Sequence, residues 1–157
     1  MNENNSDYAK PDKLPGLEKL PDALAILDAN EFLENVTNLV SRLRMRVPSE
    51  AWSLNLSPGS LDLLSRLLNE GIASIAGDHI VNGVNRSLIV EVTAYLGSAV
   101  VRNLNGKWRK PADVKSEPYV TYSYGDHHRS AYPFADVVEM ATQGEFDLAG
   151  WYRLLLD

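Results

Sequence analysis

Histidine is the side chain best suited to bind a metal or to move a proton near neutral pH. The chain has three: His79, His127 and His128. His127 and His128 follow Asp126 in a segment that we predict to be a β-hairpin. Adjacent residues of a strand point to opposite faces of a sheet, so this pair does not converge on one metal ion. A metal site would need a further ligand from a distant segment, such as His79. We therefore predict no metal site.

The other residue types that support catalysis occur without a recognised spacing. The sequence has no G-x-S-x-G, no phosphate-binding G-x-x-x-x-G-K-[ST], no H-E-x-x-H and no G-x-G-x-x-G motif. Cysteine is absent, which excludes disulfides, thiolate nucleophiles and cysteine-ligated zinc. Catalytic groups distant in sequence can still meet in a fold. We therefore assign no catalytic residue, expect no cofactor, and favour a protein that is not an enzyme.

A binding surface is the better-supported kind of site, because aromatic residues concentrate late in the chain. The hairpin predicted between residues 119 and 132 combines tyrosines with histidine and arginine, a composition typical of protein-binding surfaces. Our candidate binding residues are Tyr122, Tyr124, His128 and Arg129. One question stays open, because Tyr122 and Tyr124 share a strand face with Val120. If that face turns to the core, the exposed set is instead Tyr119 with its same-face neighbours.

A run of basic residues surrounds Trp108, and it has two interpretations. Together with the tyrosines it could be a nucleic-acid surface that combines base stacking with phosphate contacts. It could also be a solvated edge strand that positive charge protects from pairing with other chains. We favour the second interpretation. The residues concerned are Arg102, Lys107, Arg109, Lys110 and Lys115.

The elements that must position these residues follow from the hydrophobic period. Apolar residues recur at spacings of three and four from about residue 21 to residue 43, which predicts one long helix or two helices meeting near residues 28–30. Pro48 ends this pattern. Either Ser57 or Ser60 can cap a second helix, Pro58 is its first residue if Ser57 is the cap, and Gly71 predicts its end. A third helical pattern runs from about Asn82.

The second half of the chain determines the fold class. Gly97 lies inside the third helical pattern, where glycine is costly, so we expect another element to pack closely against it. After Gly106 the period becomes alternating: residues 107–110, 119–124 and 128–132 are predicted strands, with Trp108 buried against Leu96 and Val100. Helices are predicted over 133–142 and 147–156. Trp108, Phe134, Phe146 and Trp151 are expected in the core. The predicted fold is α+β, a helix-rich single domain with a small antiparallel sheet of about three strands.

Length and composition are those of one globular domain. The chain has 157 residues, of which 45% are hydrophobic and 23% charged, and a net charge of -6. That charge argues against a general nucleic-acid binder. No stretch reaches the roughly 20 apolar residues of a membrane span, and we expect a cytoplasmic protein without membrane association. Residues 1–20 are polar and contain Pro11 and Pro15, with Pro21 directly after them, which predicts a flexible arm before a domain over residues 21–157.

Three segments carry a resemblance to small bacterial domains of unknown function: LSPGSLDLLSRLLNEG, AYLGSAVVRNLNGKW and YPFADVVEMATQG. Such domains share a leucine-rich helix, a helix containing "LG" that runs into "G.W", a short sheet and a helix beginning "PF". The resemblance covers about residues 50–157. Some bacterial proteins of similar build are immunity or partner-binding proteins, so the resemblance implies such a role. The related pattern often has an acidic residue where this chain has Ser98, and a role for that acid does not carry over.

Two functional hypotheses follow. The first is a non-enzymatic interaction protein, of the immunity or inhibitor type, whose partner is another protein. The alternative is a small-molecule-binding domain or enzyme with a pocket between the helix that contains Gly97 and the sheet. A deep cleft with convergent polar groups would favour the alternative.

Overall fold

A computed structural model describes residues 29–70, 86–112 and 117–157 of the chain. The predicted arm over residues 1–20, the predicted helix end at Gly71 and the third histidine, His79, lie outside these ranges.

The described chain begins with two helices, α1 (Ala29–Glu34) and α2 (Val36–Arg46). They meet at Asn35, later than the junction near residues 28–30 that the sequence pattern allowed. The Asn35 side-chain amide donates to the carbonyl oxygen of Glu31 at 2.7 Å. Asparagine side chains compete in this way with regular backbone bonding, which accounts for the interruption. The helix ends at Arg46, before Pro48, as predicted, and a 3₁₀ helix follows over Pro48–Ser53.

Helix α3 (Pro58–Asn69) begins as its sequence predicts. The Ser57 hydroxyl accepts from the Ser60 amide at 3.2 Å, and Pro58 occupies the first helical position, where its missing N–H costs nothing. Helix α4 (Arg86–Asn103) is the longest described helix. Its buried side chains include Leu88, Leu96 and Val100. An amphipathic surface helix has one apolar face, whereas α4 is enclosed by other elements along most of its length.

The sheet has three antiparallel strands in the order β1 (Lys107–Arg109), β2 (Tyr119–Tyr124) and β3 (His127–Ala131). Strands β2 and β3 form the predicted hairpin, with Gly125 at φ 63° in the turn. A positive φ of this size favours glycine. The strands lie within one residue of their predicted bounds.

Two helices complete the chain, α5 (Pro133–Gln143) and α6 (Leu148–Leu154). Gly144 ends α5 in the left-handed conformation with φ 82°. The Asp147 carboxylate caps α6 by accepting from the Gly150 amide at 2.9 Å. Both helices were predicted from their apolar spacing.

The core lies around α4, which packs against α2, α5 and the inner face of β2. Phe134, Phe146 and Trp151 are buried, as predicted. Trp108 is mostly buried, as predicted; its ring lies over Gly97 and meets Phe32 edge-on at a centroid distance of 5.3 Å. The structure confirms a helix-rich α+β domain with a small antiparallel sheet.

Within the described ranges, no helix has the combination of length and apolar character that crossing a bilayer requires.

Candidate functional site on the outer face of the sheet

Alternation along β2 determines which face of the sheet meets solvent. Val120 is fully buried and Tyr122 is 5% exposed, whereas Ser123 is exposed and Thr121 is half-buried. The face shared by Val120 and Tyr122 therefore packs on the core, and the other face is the solvent face. This answers the question that the sequence left open.

The expected exposure of Tyr122 is therefore wrong. Its hydroxyl donates to the carbonyl oxygen of Leu155 at 3.0 Å, and the Arg129 guanidinium donates to the same oxygen at 2.9 Å. Both side chains thus attach the sheet to the C-terminal segment. Helix α6 ends at Leu154, so this carbonyl can accept both bonds.

The four candidate binding residues are divided between the two faces of the sheet. Tyr124 is 43% exposed at the end of β2, and His128 is exposed on β3. Tyr124 faces the same side of the sheet as Tyr122, whereas His128 is paired with Ser123 on the solvent side. Of the predicted set, His128 lies on the outer face described next, and Tyr122 and Arg129 are also among the residues that line the groove there.

The solvent face is a regular grid set by the strand register. Lys107 of β1, Thr121 of β2 and Ser130 of β3 form one row across the sheet. Arg109 lies opposite Tyr119, and Ser123 lies opposite His128. Directly opposite side chains lie about 5 Å apart, so these groups are close enough to contact one ligand. We call this set the outer face: Asn105, Lys107, Arg109, Tyr119, Thr121, Ser123, His128, Ser130 and Tyr132.

Two hydrogen bonds position side chains on the outer face. The Arg109 Nε donates to the Thr121 hydroxyl at 2.9 Å, which holds the guanidinium along the sheet. The Ser123 hydroxyl and His128 Nδ1 are 3.0 Å apart across the β2–β3 hairpin. Both bonds join neighbouring strands, so they also stabilise the register.

The middle of the outer face is an open groove of about 410 Å³. Its lining includes lysine, arginine and histidine together with asparagine and three small hydroxyl residues, and none of its lining residues is a carboxylate. The whole chain has a net charge of -6, whereas the residues that line this groove carry no negative charge. A cationic concave surface attracts anionic groups.

Two tyrosines lie at one side of the outer face. The rings of Tyr119 and Tyr132 are stacked with centroids 5.5 Å apart and an interplanar angle of 26°. Tyr132 is 47% exposed. Tyrosine offers a large contact area at low entropic cost and is enriched in protein interfaces.

The Ser123–His128 pair resembles a nucleophile with its base, but no group that orients the histidine is present among the described contacts. A catalytic dyad of this type needs a group that orients the histidine and donors that stabilise an oxyanion. Among the contacts described for the His128 ring, none is with a carboxylate. The pair therefore provides hydrogen-bond donors and acceptors on the surface.

The described ranges contain no group of three or more histidine, aspartate or glutamate side chains placed to hold a metal ion. His127 and His128 lie next to each other on β3, where their side chains alternate between the two faces.

The pocket that the alternative hypothesis requires would lie between Gly97 and the sheet. A β-carbon added at Gly97 would come within 2.2 Å of two carbon atoms of the Trp108 ring. Trp108 therefore occupies this space, and the expected close packing at Gly97 is confirmed.

Sequence reasoning identified Lys107 and Arg109 but assigned them to the protection of an edge strand. Their spacing of two residues places both on one face of β1. The pairing of the strands, in which Thr121 lies opposite both Lys107 and Ser130, brings the basic residues of β1 near His128. This register is a tertiary feature, and the sequence contains no local motif that predicts it.

Comparison with known proteins gives no match to a family model, to a curated protein or to a solved structure. The resemblance to small bacterial domains stays a prediction. The geometry of the outer face is therefore the basis on which a function can be inferred.

Proposed function

We propose that this chain is a non-enzymatic protein-interaction domain that binds an acidic segment of another protein on its outer face. As an inhibitor or immunity protein does, it would act by covering part of its partner. The observation that carries the proposal is the groove lined by Lys107, Arg109 and His128 without a carboxylate. We also propose that the protein is located in the cytoplasm.

Charge complementarity supports an acidic protein rather than a nucleic acid. The groove is lined by four residues with cationic or protonatable side chains, Lys107, Arg109, His128 and Arg129, which is enough for a few carboxylates. A nucleic acid is a continuous polyanion and is bound by extended basic tracks, whereas this chain has a net charge of -6. The contacting faces of Tyr119 and Tyr132 are also occupied by each other, which reduces the surface available for stacking on bases.

The stacked tyrosines and the hydroxyl residues of the outer face add apolar contact area and hydrogen bonds to the electrostatic attraction. Interfaces gain much of their binding energy from a few aromatic and arginine side chains, and Tyr132 and Arg109 are both exposed on this face. Rim charges mainly accelerate association and discriminate between partners. We therefore expect a salt-sensitive interaction.

The test uses a fluorescein-labelled octaglutamate peptide as the probe and fluorescence anisotropy as the measurement. Wild-type protein should bind the peptide at low ionic strength, and Lys107→Glu/Arg109→Glu should abolish this binding. The matched control is Arg42→Glu/Arg66→Glu, which reverses two exposed arginines on α2 and α3 and changes the net charge equally. The control should bind more weakly than wild type but still detectably, because the groove itself is intact.

Equal loss of binding in both double variants would contradict the proposal, since it would show a response to net charge alone. Labelled oligothymidylate serves as the nucleic-acid probe. If it binds more tightly than octaglutamate and the Lys107→Glu/Arg109→Glu variant loses it, the outer face is a nucleic-acid site and the proposal is wrong.

A further inference from the structure

The groove on the outer face combines positive charge with an unusual number of neutral hydrogen-bond donors. Its donors come from all three strands and from a residue two positions before β1: Asn105, Lys107, Arg109, Ser123, His128 and Ser130. A carboxylate carries one charge and two oxygen atoms. A phosphoryl group on a side chain carries a charge of about -1.5 to -2 and three acceptor oxygens. The donor set matches the second group better than the first.

The register places these donors around one position. Thr121 is central: it lies opposite Lys107 on one side and opposite Ser130 on the other. Ser123 and its partner His128 form the next row. Neighbouring strands are about 4.8 Å apart, so a tetrahedral group above Thr121 lies within reach of side chains from β1, β2 and β3.

The hydrogen bonds already present leave suitable donors directed at such a group. The Thr121 hydroxyl accepts from Arg109 Nε, so the remaining nitrogens of the guanidinium stay available beside the groove. When His128 carries a hydrogen on Nδ1, the Ser123 hydroxyl accepts it and can donate its own hydrogen to an anion. Bonds from charged donors to phosphate oxygens are about twice as strong as neutral ones.

From this arrangement we infer that the anionic group bound in the groove is a phosphoryl group on a serine or threonine of the partner protein. This inference rests on the proposed function, because it specifies the chemistry of the same surface. The phosphoryl group lies above Thr121, with Lys107 and Arg109 balancing its charge and Ser123 and Ser130 donating to its oxygens, while His128 Nδ1 donates to the Ser123 hydroxyl. The stacked Tyr119 and Tyr132 contact the residues that flank it.

The experiment compares three amidated hexapeptides that differ at one position, which is phosphoserine, glutamate or serine. Isothermal titration calorimetry should show the phosphoserine peptide binding at least about tenfold more tightly than the glutamate peptide, because it accepts more charge-assisted bonds. Inorganic phosphate should compete with the phosphoserine peptide. The serine peptide should not bind measurably.

Two surface variants test the assignment of donors. Lys107→Met and Ser123→Ala should each reduce the preference for phosphoserine over glutamate, whereas the controls Arg66→Met and Ser53→Ala, at exposed positions outside the sheet, should keep it. Circular dichroism melting curves verify that each variant is folded.

The outcomes separate the two proposals. Equal affinity for the phosphoserine and glutamate peptides overturns the phosphoryl assignment and leaves the acidic-partner function in place. Failure of both peptides and of octaglutamate overturns both proposals. Tighter binding of oligothymidylate than of the phosphopeptide also overturns both, since the phosphate groups recognised would then be those of a nucleic acid.

Discussion

At the scale of single residues, the contact between Gly97 and Trp108 determines how closely the sheet packs on α4. The Trp108 ring occupies the volume that any side chain at position 97 would need. Phe32 supports the ring from the side of α1. Trp108→Ala should lower the free energy of unfolding by about 3 kcal/mol, because it removes a large ring from this junction. Chemical denaturation measures the change, and a near-wild-type midpoint would show that the ring contributes little.

A double-mutant cycle gives a sharper test of the same contact. Gly97→Ala should destabilise the wild-type protein, because the new β-carbon would overlap the Trp108 ring. In the Trp108→Ala background the same substitution should be neutral or stabilising by about 1 kcal/mol, which is the helix preference of alanine over glycine. If Gly97→Ala has the same effect in both backgrounds, the two residues are not coupled.

Glu117 is the residue whose environment predicts a pH effect. Burial raises the pKa of its carboxyl above the ordinary value of 4.5, and the Asp136 carboxylate acts in the same direction, while the hydrogen bond from the Ala135 amide opposes them. The folded protein therefore holds this proton more tightly than the unfolded chain does. The resulting stability is fully present below pH 4.5 and is lost as the pH rises through the folded-state pKa.

Glu117→Gln should remove this dependence, because the amide keeps an acceptor for Ala135 and does not titrate. We expect the free energy of unfolding of the variant, relative to wild type, to rise with pH from about 4.5 upward through the folded-state pKa. Urea denaturation at a series of pH values measures this difference. A constant difference, or one that falls with pH, would show that the carboxyl is not destabilised by its surroundings.

At the scale of elements, the segment between the 3₁₀ helix and α3 is fixed by side chains from three helices. The Tyr95 hydroxyl accepts from the Leu56 amide at 2.9 Å and lies 2.6 Å from the Ser60 hydroxyl. Arg44 donates to the Leu54 carbonyl, and Asn103 donates to the Leu56 carbonyl. Leu56 has φ 68°, an uncommon conformation for this residue type, and these bonds hold it there.

Tyr95→Phe should therefore destabilise the protein by about 1 to 3 kcal/mol, because the Leu56 amide loses its acceptor and the Ser60 hydroxyl keeps only its bond to the Ser57 carbonyl oxygen. The matched control is Tyr124→Phe, since Tyr124 is exposed at the end of β2 and its hydroxyl has no hydrogen bond among those described. Thermal denaturation should show a lower midpoint for the first variant and little change for the second. Equal midpoints would mean that water replaces the lost bonds.

A buried ion pair connects α2 to α4. Arg46 donates to the two carboxylate oxygens of Glu91 at 2.6 and 3.1 Å, and Glu91 is 3% exposed. Glu91→Ala should cost about 3 to 5 kcal/mol, because it leaves a guanidinium without this partner in a desolvated place. Replacing both residues, as in Arg46→Met/Glu91→Leu, should recover most of that loss in a denaturation experiment. A double variant as unstable as the single one would show that the pair itself stabilises the fold.

These elements differ in how far the sequence predicts them. The cap at Ser57, the alternation of β2 and the end of α5 at Gly144 are local features, so residue type and spacing were sufficient. The burial of Tyr122 was not predictable, because alternation defines two strand faces without stating which one packs on a helix. The Arg46–Glu91 pair and the Ser123–His128 pair join residues through tertiary packing and strand register, for which the sequence offers no local marker.

At the scale of the whole molecule, the sheet separates two kinds of surface. Its inner face closes over α4, while its outer face leaves the cationic groove and the stacked tyrosines in solvent. The buried Tyr122 and the half-buried Arg129 attach the sheet to the C-terminal segment. A rigid sheet with a polar, positively charged outer face is suited to bind a ligand without changing the core.

The most direct test of the outer face is a map of where an acidic ligand binds. Isotope-labelled protein titrated with octaglutamate can be followed by the amide chemical shifts in nuclear magnetic resonance spectra. We predict saturable shifts concentrated at Lys107, Thr121, Ser123, His128 and Ser130, with small changes at Arg42 and Arg66. Shifts concentrated on α2 and α3, or spread evenly over exposed basic residues, would contradict the assignment of this face as the binding surface.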